Sequence, residues 1–298
     1  MEPWVPSSVL DRAADGRSDP AWVAALWAHP ESRVFGVDAR STVTASTTTA
    51  STTTAGRVGL RWQRPSGPYV PEHHLLVGLV EGRAWFVTEA DVLGDVGETA
   101  SLRDLAPELD ETLTDVAVTG VALVNWHRVA PFCGQCGTLT EVHDGGHLRW
   151  CPTCERQRFP RTDPAVIVAV LDPDDRLLLA HQNVWEPTRV SILAGFVEAG
   201  ESLEQAVHRE IAEEAGLRLT ALRYVGSQPW PFPRSVMLGF VAHTADAQIR
   251  VDGVEIAWAR FYARDELEAA VASGDITLPT SASIASRIIT AWREGDLS

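Results

Sequence analysis

Residues 195–217 read GFVEAGESLEQAVHREIAEEAGL, and their start, stripe and stop signals predict a loop that leads into one amphipathic helix. Ser202 stands as the N-cap, with Gln205 three positions on to complete a capping box. Leu203, Val207 and Ile211 recur at four-residue steps, the stripe of a helix that lays one face on a core. Gly216 supplies the C-terminal stop. Beside the stripe stand Glu210, Glu213 and Glu214, at helix positions i, i+3 and i+4, which share a face. Carboxylates so placed repel, by roughly 4 kcal/mol per close pair at about 4 Å and an effective dielectric near 20. Two arrangements offset that repulsion. Either the face is solvated and paired with Arg209 or Arg218, or it holds a hard divalent cation of the kind bound by a few carboxylates plus substrate phosphates.

Around this helix, the chain from Asp163 on alternates strand and helix signals, the pattern of an α/β domain. PAVIVAVLD (164–172) predicts a strand, Pro173–Asp175 a turn and RLLLA (176–180) the returning strand. Further strands are expected around Leu222–Val225, Met237–His243 and Ile256–Tyr262, and a last helix over Ser283–Trp292. Between them lies SQPWPFPRS (227–235), where three prolines alternate with Trp230 and Phe232. That spacing excludes a regular helix or a central strand. It describes a stiff, extended wall with two aromatic faces. Such a wall serves as a packed turn, as a subunit contact, or as a surface on which planar bases stack, at roughly 1–3 kcal/mol per base.

Upstream, residues 132–160 form a cysteine module. All four cysteines of the chain lie in two knuckles, CGQCG and CPTC, as Cys133-x-x-Cys136, fourteen residues, then Cys151-x-x-Cys154. Small and turn-forming residues between paired cysteines let the sulfurs converge while backbone N–H groups point at the thiolates. Four soft ligands make the closed tetrahedral environment of a structural Zn²⁺. A redox disulfide would need one such pair beside a thioredoxin-like βαβ pattern, which is missing. The nearby His143 and His147 could replace a ligand, but are expected to be surface loop residues.

Residues 1–130 carry weaker signals. STVTASTTTASTTTAG (41–56) is a Ser/Thr-rich tract, expected to be a disordered loop. HLLVGLVEGRAWFVTE (74–89) predicts two strands joined at Glu81-Gly82. From Asp110 to about Val129, Leu113, Ala117, Val121 and Val124 fall at helical steps, with Gly120 an irregularity inside the run. The chain therefore divides near Pro131 into segments 1–130, 131–160 and 161–298.

Whole-chain properties bound the function. At 298 residues there is room for two or three domains. No apolar run approaches the ~20 residues that span a bilayer, and MEPWVPSSVLDRAADGR has no basic leader or apolar stretch, so a cytoplasmic protein is expected. The net charge of −15, from 25 basic against 40 acidic residues, argues against broad duplex binding, which rests on many phosphate contacts. It leaves a polyanionic substrate open, because a bound cation inverts the charge of one site.

Gly195, Glu201, Arg209, Glu210, Glu213, Glu214 and Gly216, with apolar Ile211 and Leu217, fit the Nudix box in full: Gly, five residues, Glu, seven residues, Arg-Glu-apolar-x-Glu-Glu-x-Gly-apolar. The chain resembles a Nudix hydrolase. That resemblance implies a loop–helix–loop on an α/β/α sandwich with a mixed sheet, and divalent metals that serve cleavage of X-linked nucleoside diphosphates. Carried over by position, Glu210, Glu213 and Glu214 would hold Mg²⁺ or Mn²⁺, one of them a candidate to activate water. The carbonyl of Ala194 would be a further ligand, and Glu201 would pair with Arg209.

The string SQPWPFP after the box resembles the signature of the NADH pyrophosphatase (NAD⁺ diphosphatase) branch, which has an N-terminal α+β domain and a zinc ribbon in this order. VNWHRVAPFCGQCG (124–137) and FPRTDPAVIV (159–168) add to the likeness. It implies a dinucleotide site lined by Gln228, Pro229, Trp230, Pro231, Phe232, Pro233, Arg234, Ser235, Phe159, Phe196 and Ala285. Glu255, in VEIAWARF, would be an extra acidic ligand or base. Phe159 stands where relatives often carry Tyr, and Gly146 where some carry Glu. The expected reaction is hydrolysis of NAD(H) to nicotinamide mononucleotide and AMP, with NAD-capped RNA as a second substrate and a homodimer as the assembly. Two alternatives are a broader pyrophosphatase acting on ADP-ribose or dinucleoside polyphosphates, and a non-enzymatic nucleotide or RNA sensor. The sensor predicts a degraded box, and this box is intact.

Overall fold

The short apolar runs of the N-terminal half pair into a sheet. The computed structural model describes residues 8–48, 57–94 and 97–297. They fall into two units: one holds Asp163–Pro229 and the chain from Ser235 on, the other the described residues up to Thr162 together with Trp230–Arg234.

In the N-terminal unit, α1 (Pro20–Ala28) begins where the Asp19 carboxylate accepts from the Ala21 N–H at 2.9 Å and Pro20 occupies the first helical position. The described strands are β1 (Arg33–Val37), β2 (Thr42–Thr48), β3 (Arg57–Leu60), β4 (Leu75–Val80), β5 (Arg83–Glu89) and β6 (Glu98–Ser101). Their order is β3-β2-β1-β5-β4, with β6 beside β2, and only the β1–β5 pair among them is parallel. The expected hairpin at Glu81-Gly82 is the β4–β5 turn, with φ of 51° and 76° at its two residues. After the single turn α2 (Leu102–Leu105), Asp110 caps α3 (Glu111–Val129) by accepting from the Leu113 N–H at 2.7 Å. Gly120 belongs inside α3 for a packing reason: a Cβ there would lie 2.4 Å from Phe35 Cζ.

The Ser/Thr-rich tract departs from the expectation of a disordered loop. Its first part, Thr42–Thr48, is β2, and residues 49–56 lie outside the described residues. Val43 and Ala45 are buried, and the Thr44 hydroxyl donates to the Arg61 carbonyl at 2.7 Å while accepting from the Gly36 N–H at 3.1 Å. Composition alone reads threonine as polar. Its branched Cβ also suits a pleated, half-buried strand.

The cysteine module contributes β7 (Glu141–His143), β8 (Leu148–Cys151) and β9 (Arg156–Arg158), an antiparallel sheet in that order. Buried Arg149 ties it to α3. It donates to Thr140 Oγ1 at 2.7 Å, to the Thr140 carbonyl at 2.8 Å and to His127 Nδ1 at 2.8 Å. His127 therefore carries its proton on Nε2 and donates to the Gly146 carbonyl at 2.8 Å. Burial, with the Arg149 charge adding to it, pushes the imidazole down to about 4, so it stays neutral. His147 is not the surface loop residue expected: its Nε2 meets the Leu76 carbonyl at 2.8 Å, and burial lowers it likewise to about 4. His143 does remain at the surface, beside Glu141.

The second unit comprises β10 (Asp163–Leu171), β11 (Leu177–Gln182), β12 (Leu193–Phe196), α4 (Leu203–Ala215), β13 (Leu219–Trp230), β14 (Ser235–Thr244), β15 (Ile256–Tyr262), α5 (Arg264–Ser273) and α6 (Ile284–Arg293). The sheet order is β13-β14-β10-β11-β15, with β12 also on β10. β10 pairs parallel with β14 and antiparallel with β11 and β12, so the sheet is mixed. The apolar run of β10 serves both faces. Val166, Val168 and Val170 pack with Ala206, Val207 and Ile211 of α4, while Ile167, Ala169 and Leu171 pack with Ile284, Ile288 and Trp292 of α6. A continuous apolar strand buried on both sides is what a helix–sheet–helix sandwich requires. Pro229 lies in β13, an edge strand, where a missing N–H breaks no central ladder. Among the described residues no helix is long and apolar enough to cross a membrane.

Candidate active site and zinc module

β12 and α4 together carry the acidic cluster. The predicted capping box forms: Ser202 Oγ accepts from the Gln205 N–H at 3.2 Å, and Gln205 Oε1 accepts from the Ser202 N–H at 2.8 Å. Gly216 ends the helix in the left-handed region, at φ 68°. Val207 and Ile211 are fully buried, which directs Glu210 and Glu214 inward along the same side.

Arg209 fastens the loop to the helix. Its Nε and Nη2 donate to the two Glu201 oxygens at 2.7 and 2.8 Å, a bidentate pair, and Nη2 also reaches the Phe196 carbonyl at 2.9 Å. The Glu198 N–H donates to the same Glu201 carboxylate at 2.9 Å. Together these bonds, that from Arg209 foremost, hold Glu201 down at about 2. The remaining nitrogen, Nη1, lies 2.9 Å from Glu210 and 3.2 Å from Glu213. Gly195 is required here by close approach. A Cβ on it would come within 1.9 Å of the Glu210 carboxylate, so only glycine lets that side chain lie against β12.

Glu214 is the anomaly. It is 5% exposed, and its Oε2 has no hydrogen-bond partner. Burial first, then the charges of Glu210, Glu255, Asp252 and Glu213, push its carboxyl up to about 8. Glu210 is raised too, chiefly by burial, against the lowering effect of Arg209. An unpartnered carboxylate oxygen inside a protein is costly, and a divalent cation removes both the missing partner and the repulsion. The donor set of glutamate oxygens is that of a hard cation. Glu255 joins from the loop before β15, where its Oε1 accepts from Gln182 Nε2 at 3.2 Å. Ala194 sits in β12 opposite Ile167.

The cysteines make a different site. Among the described residues, Cys133, Cys136, Cys151 and Cys154 are the one group of three or more candidate ligands whose donor atoms lie within 4.8 Å of one another. Backbone N–H groups of Gln135 and Cys136 point at the Cys133 sulfur and lower that thiol to about 6. The set fits a tetrahedral soft cation, zinc above all.

The expected dinucleotide wall is split between the units. Gln228 uses both ends of its amide on the start of α6, donating to the Ala282 carbonyl at 2.7 Å and accepting from the Ile284 N–H at 2.6 Å. Ala285 is 4% exposed within the α6 core, whereas Phe196 is 57% and Phe159 53% exposed. Ser235 is buried at the start of β14. Trp230–Arg234 belong to the N-terminal unit. There the Trp230 and Phe232 rings meet edge to face at 5.2 Å, the Arg103 guanidinium stands 5.2 and 4.8 Å from their centroids, and Asn125 Nδ2 donates to the Pro231 carbonyl at 3.2 Å. Sequence reasoning missed Gln182, Asp252 and Arg103. Only Asp252, in an Asp-Gly turn pair, carried a local signal.

Residues 161–279 match the NUDIX domain. Across 297 aligned residues the chain is 40% identical to the NAD-capped RNA hydrolase NudC of Mycobacterium bovis, covering 95% of this chain and 92% of that protein. The chain belongs to the Nudix family. A similar likeness, 39% with the same coverage, holds for the NudC protein of Mycobacterium tuberculosis. The Klebsiella pneumoniae NudC protein is 38% identical over 220 residues, 74% of this chain and 80% of that one. The Nudix loop and helix are thus β12, the Glu201–Arg209 pair and α4, and the two mycobacterial likenesses run through the cysteine module as well.

Proposed function

We propose that this Nudix protein hydrolyses the pyrophosphate of NAD(H), releasing nicotinamide mononucleotide and AMP, and removes the same dinucleotide cap from RNA 5′ ends. The observation that carries the reading is the likeness, 40% identical over 95% of the chain, to an NAD-capped RNA hydrolase, and the buried, unpartnered Glu214 carboxylate oxygen among Glu210, Glu213 and Glu255 supports its cation site. Glu210, Glu213, Glu214, Glu255 and the Ala194 carbonyl would hold Mg²⁺ or Mn²⁺. Bound there, such ions would supply charge neutralisation for the phosphates and a lowered pKa for the attacking water. A carboxylate of the cluster takes the proton from that water. Arg209 and Glu201 keep the loop against α4, so the carboxylates stay aimed at one place. Phe196 offers an open aromatic face for a base or nicotinamide ring, and the proposed dinucleotide site takes in Gln228, Pro229, Ser235 and Ala285 of the same unit.

In this reading residues 161–298 are the hydrolase segment, and residues 1–130 and 131–160 are an N-terminal domain and a zinc ribbon. One Zn²⁺ per chain on Cys133, Cys136, Cys151 and Cys154 is structural. The protein is a cytoplasmic homodimer. Its net charge of −15 makes the capped end, rather than the RNA body, the part it grips.

One experiment tests the reading: the purified protein with Mg²⁺ or Mn²⁺, offered NADH, NAD⁺, ADP-ribose and NAD-capped RNA in parallel. Nicotinamide mononucleotide and AMP from NADH, and free 5′ ends from capped RNA, are the expected products. ADP-ribose preferred over every nicotinamide substrate would replace the proposal with a general Nudix pyrophosphatase.

A further inference from the structure

The turn in front of β15 carries a carboxylate to which neither the Nudix box nor the aromatic wall assigns a role. Asp252 Oδ1 accepts from the Val254 N–H at 3.2 Å and the Ile256 N–H at 3.0 Å, and Oδ2 accepts from the Glu255 N–H at 3.1 Å. Three consecutive backbone donors thus converge on one side chain. Gly253 makes the turn possible at φ 70°. From the other side, Asn183 donates through its N–H to the Glu255 carbonyl at 3.0 Å and through Nδ2 to the Val254 carbonyl at 2.8 Å. The ladder slips at the same place: His181 faces Trp258 and Gln182 faces Ile256, which leaves Ala257 as an extra residue on β15. Bulges of this kind re-aim side chains beside active sites.

We infer that Asp252 is a positioning residue for hydrolysis, folding the 252–256 turn so that the Glu255 carboxylate faces Glu210 and Glu214. The inference rests on the reading of Glu255 as part of the cation site. Val254 and Glu255 are exposed, and only the flanking Val251 and buried Ile256 pack on the core, so packing does not hold the Glu255 backbone in place. The backbone bonds to Asp252 and Asn183 do that instead. The Arg250 N–H donates to the Ala215 carbonyl at 2.8 Å, and Ile256 shares a core cluster with Ile211 and Ala215, which brings both ends of the turn beside the part of α4 that carries Glu214.

The test is a double-mutant cycle on the full-length protein, with NADH as substrate and Mg²⁺ varied. Asp252→Ala removes both acceptor oxygens and the three bonds they take, and kcat/KM should fall roughly 10-fold or more while the Mg²⁺ needed for half-activation rises, because a small misplacement of a site group is enough for such a loss. Asp252→Asn keeps one oxygen able to accept from Val254 and Ile256, and should recover most of the activity. In a Glu255→Gln background, Asp252→Ala should add less than about a twofold change, since residues acting through one another are not additive. Full activity of Asp252→Ala, with Glu255→Gln impaired, overturns the inference and leaves the cation-site reading standing. An equal loss in both backgrounds also overturns it, placing Asp252 in general folding. Wild-type activity of Glu255→Gln overturns the reading beneath it.

Discussion

Two places in this molecule suit a metal, and they are built on opposite principles. In the cysteine module the four sulfurs lie within 4.8 Å of one another, and local backbone N–H groups point at the Cys133 sulfur. At the glutamate cluster the carboxylates come from α4 and from the turn before β15. Arg209 draws Glu210 and Glu213 toward itself, and Glu214 is left without a partner for one oxygen. The first site is closed, so a metal there is part of the fold. The second gathers carboxylates whose repulsion is offset only by Arg209 and by the raised carboxyl of Glu214, a setting that a hard cation with substrate phosphates would fit.

That contrast can be broken at several points. The largest effect belongs to the cysteines. Structural zinc in small modules contributes apparent folding free energies of about 10–16 kcal/mol. Cys151→Ser, at a buried ligand, should therefore abolish zinc content and unfold the module, read by elemental analysis and by proteolysis of residues 132–160. Well-folded wild-type protein with less than half a zinc per chain would remove the structural role altogether.

Next comes Glu214→Gln, which keeps shape and removes a charge. Turnover should fall on the order of 10²-fold or more, while zinc content and folding stay as in the wild type. Unchanged turnover at saturating Mg²⁺ would return the acidic face to a merely solvated one.

Trp230→Ala sharpens the comparison from the substrate side. Loss of one stacking ring should cost roughly 1–3 kcal/mol, or about 5- to 150-fold in kcat/KM on NADH. If the ring stacks on nicotinamide, ADP-ribose hydrolysis holds; if on adenine, both fall together. Wild-type efficiency on NADH from both Trp230→Ala and Phe232→Ala would confine these rings to their packing beside Arg103.

The smallest effect is a pH dependence. With divalent ions chelated, folded Glu214 keeps its proton up to about 8, whereas the unfolded chain releases it near the ordinary value of 4.5. Between those values the native state binds the extra proton, so this group makes stability fall as pH rises through that window. Glu214→Gln removes the penalty. Its melting temperature in chelator should exceed the wild type's by a few degrees at pH 8.5 and match it near pH 4, and added Mg²⁺ should narrow the gap. A gap that is constant with pH would mean that Glu214 is not held protonated.

The residues around α4 show how far sequence alone reaches. Its cap, stripe and stop were legible because each signal acts within one or two turns: Ser202 with Gln205, Val207 with Ile211, and Gly216 at its positive φ. The knuckles of the cysteine module and the two-faced apolar run of β10 were legible for the same reason. α1 and α5 carry such signals too, Asp19 with Pro20 at the start of one and Gly274 at the end of the other, but they are shorter and lack the carboxylate pattern that marks α4. The threonine tract misled because composition weighs hydroxyls and overlooks the strand that β1, β3 and β6 offer to Thr42–Thr48.

By itself, then, the chain's sequence determined which residues carry charge, sulfur and aromatic faces, and in what local order. Tertiary structure alone decided that Glu210 lies where Gly195 has no side chain, that Glu214 is buried without a partner, and that Gln228 spends its amide on α6. It also decided that the Trp230–Arg234 segment packs with the N-terminal unit. The physical reason is range. Capping, helical periodicity and knuckle spacing act over a few residues, whereas desolvation and the pairing of buried polar groups depend on what distant segments bring to the same place once the chain has closed.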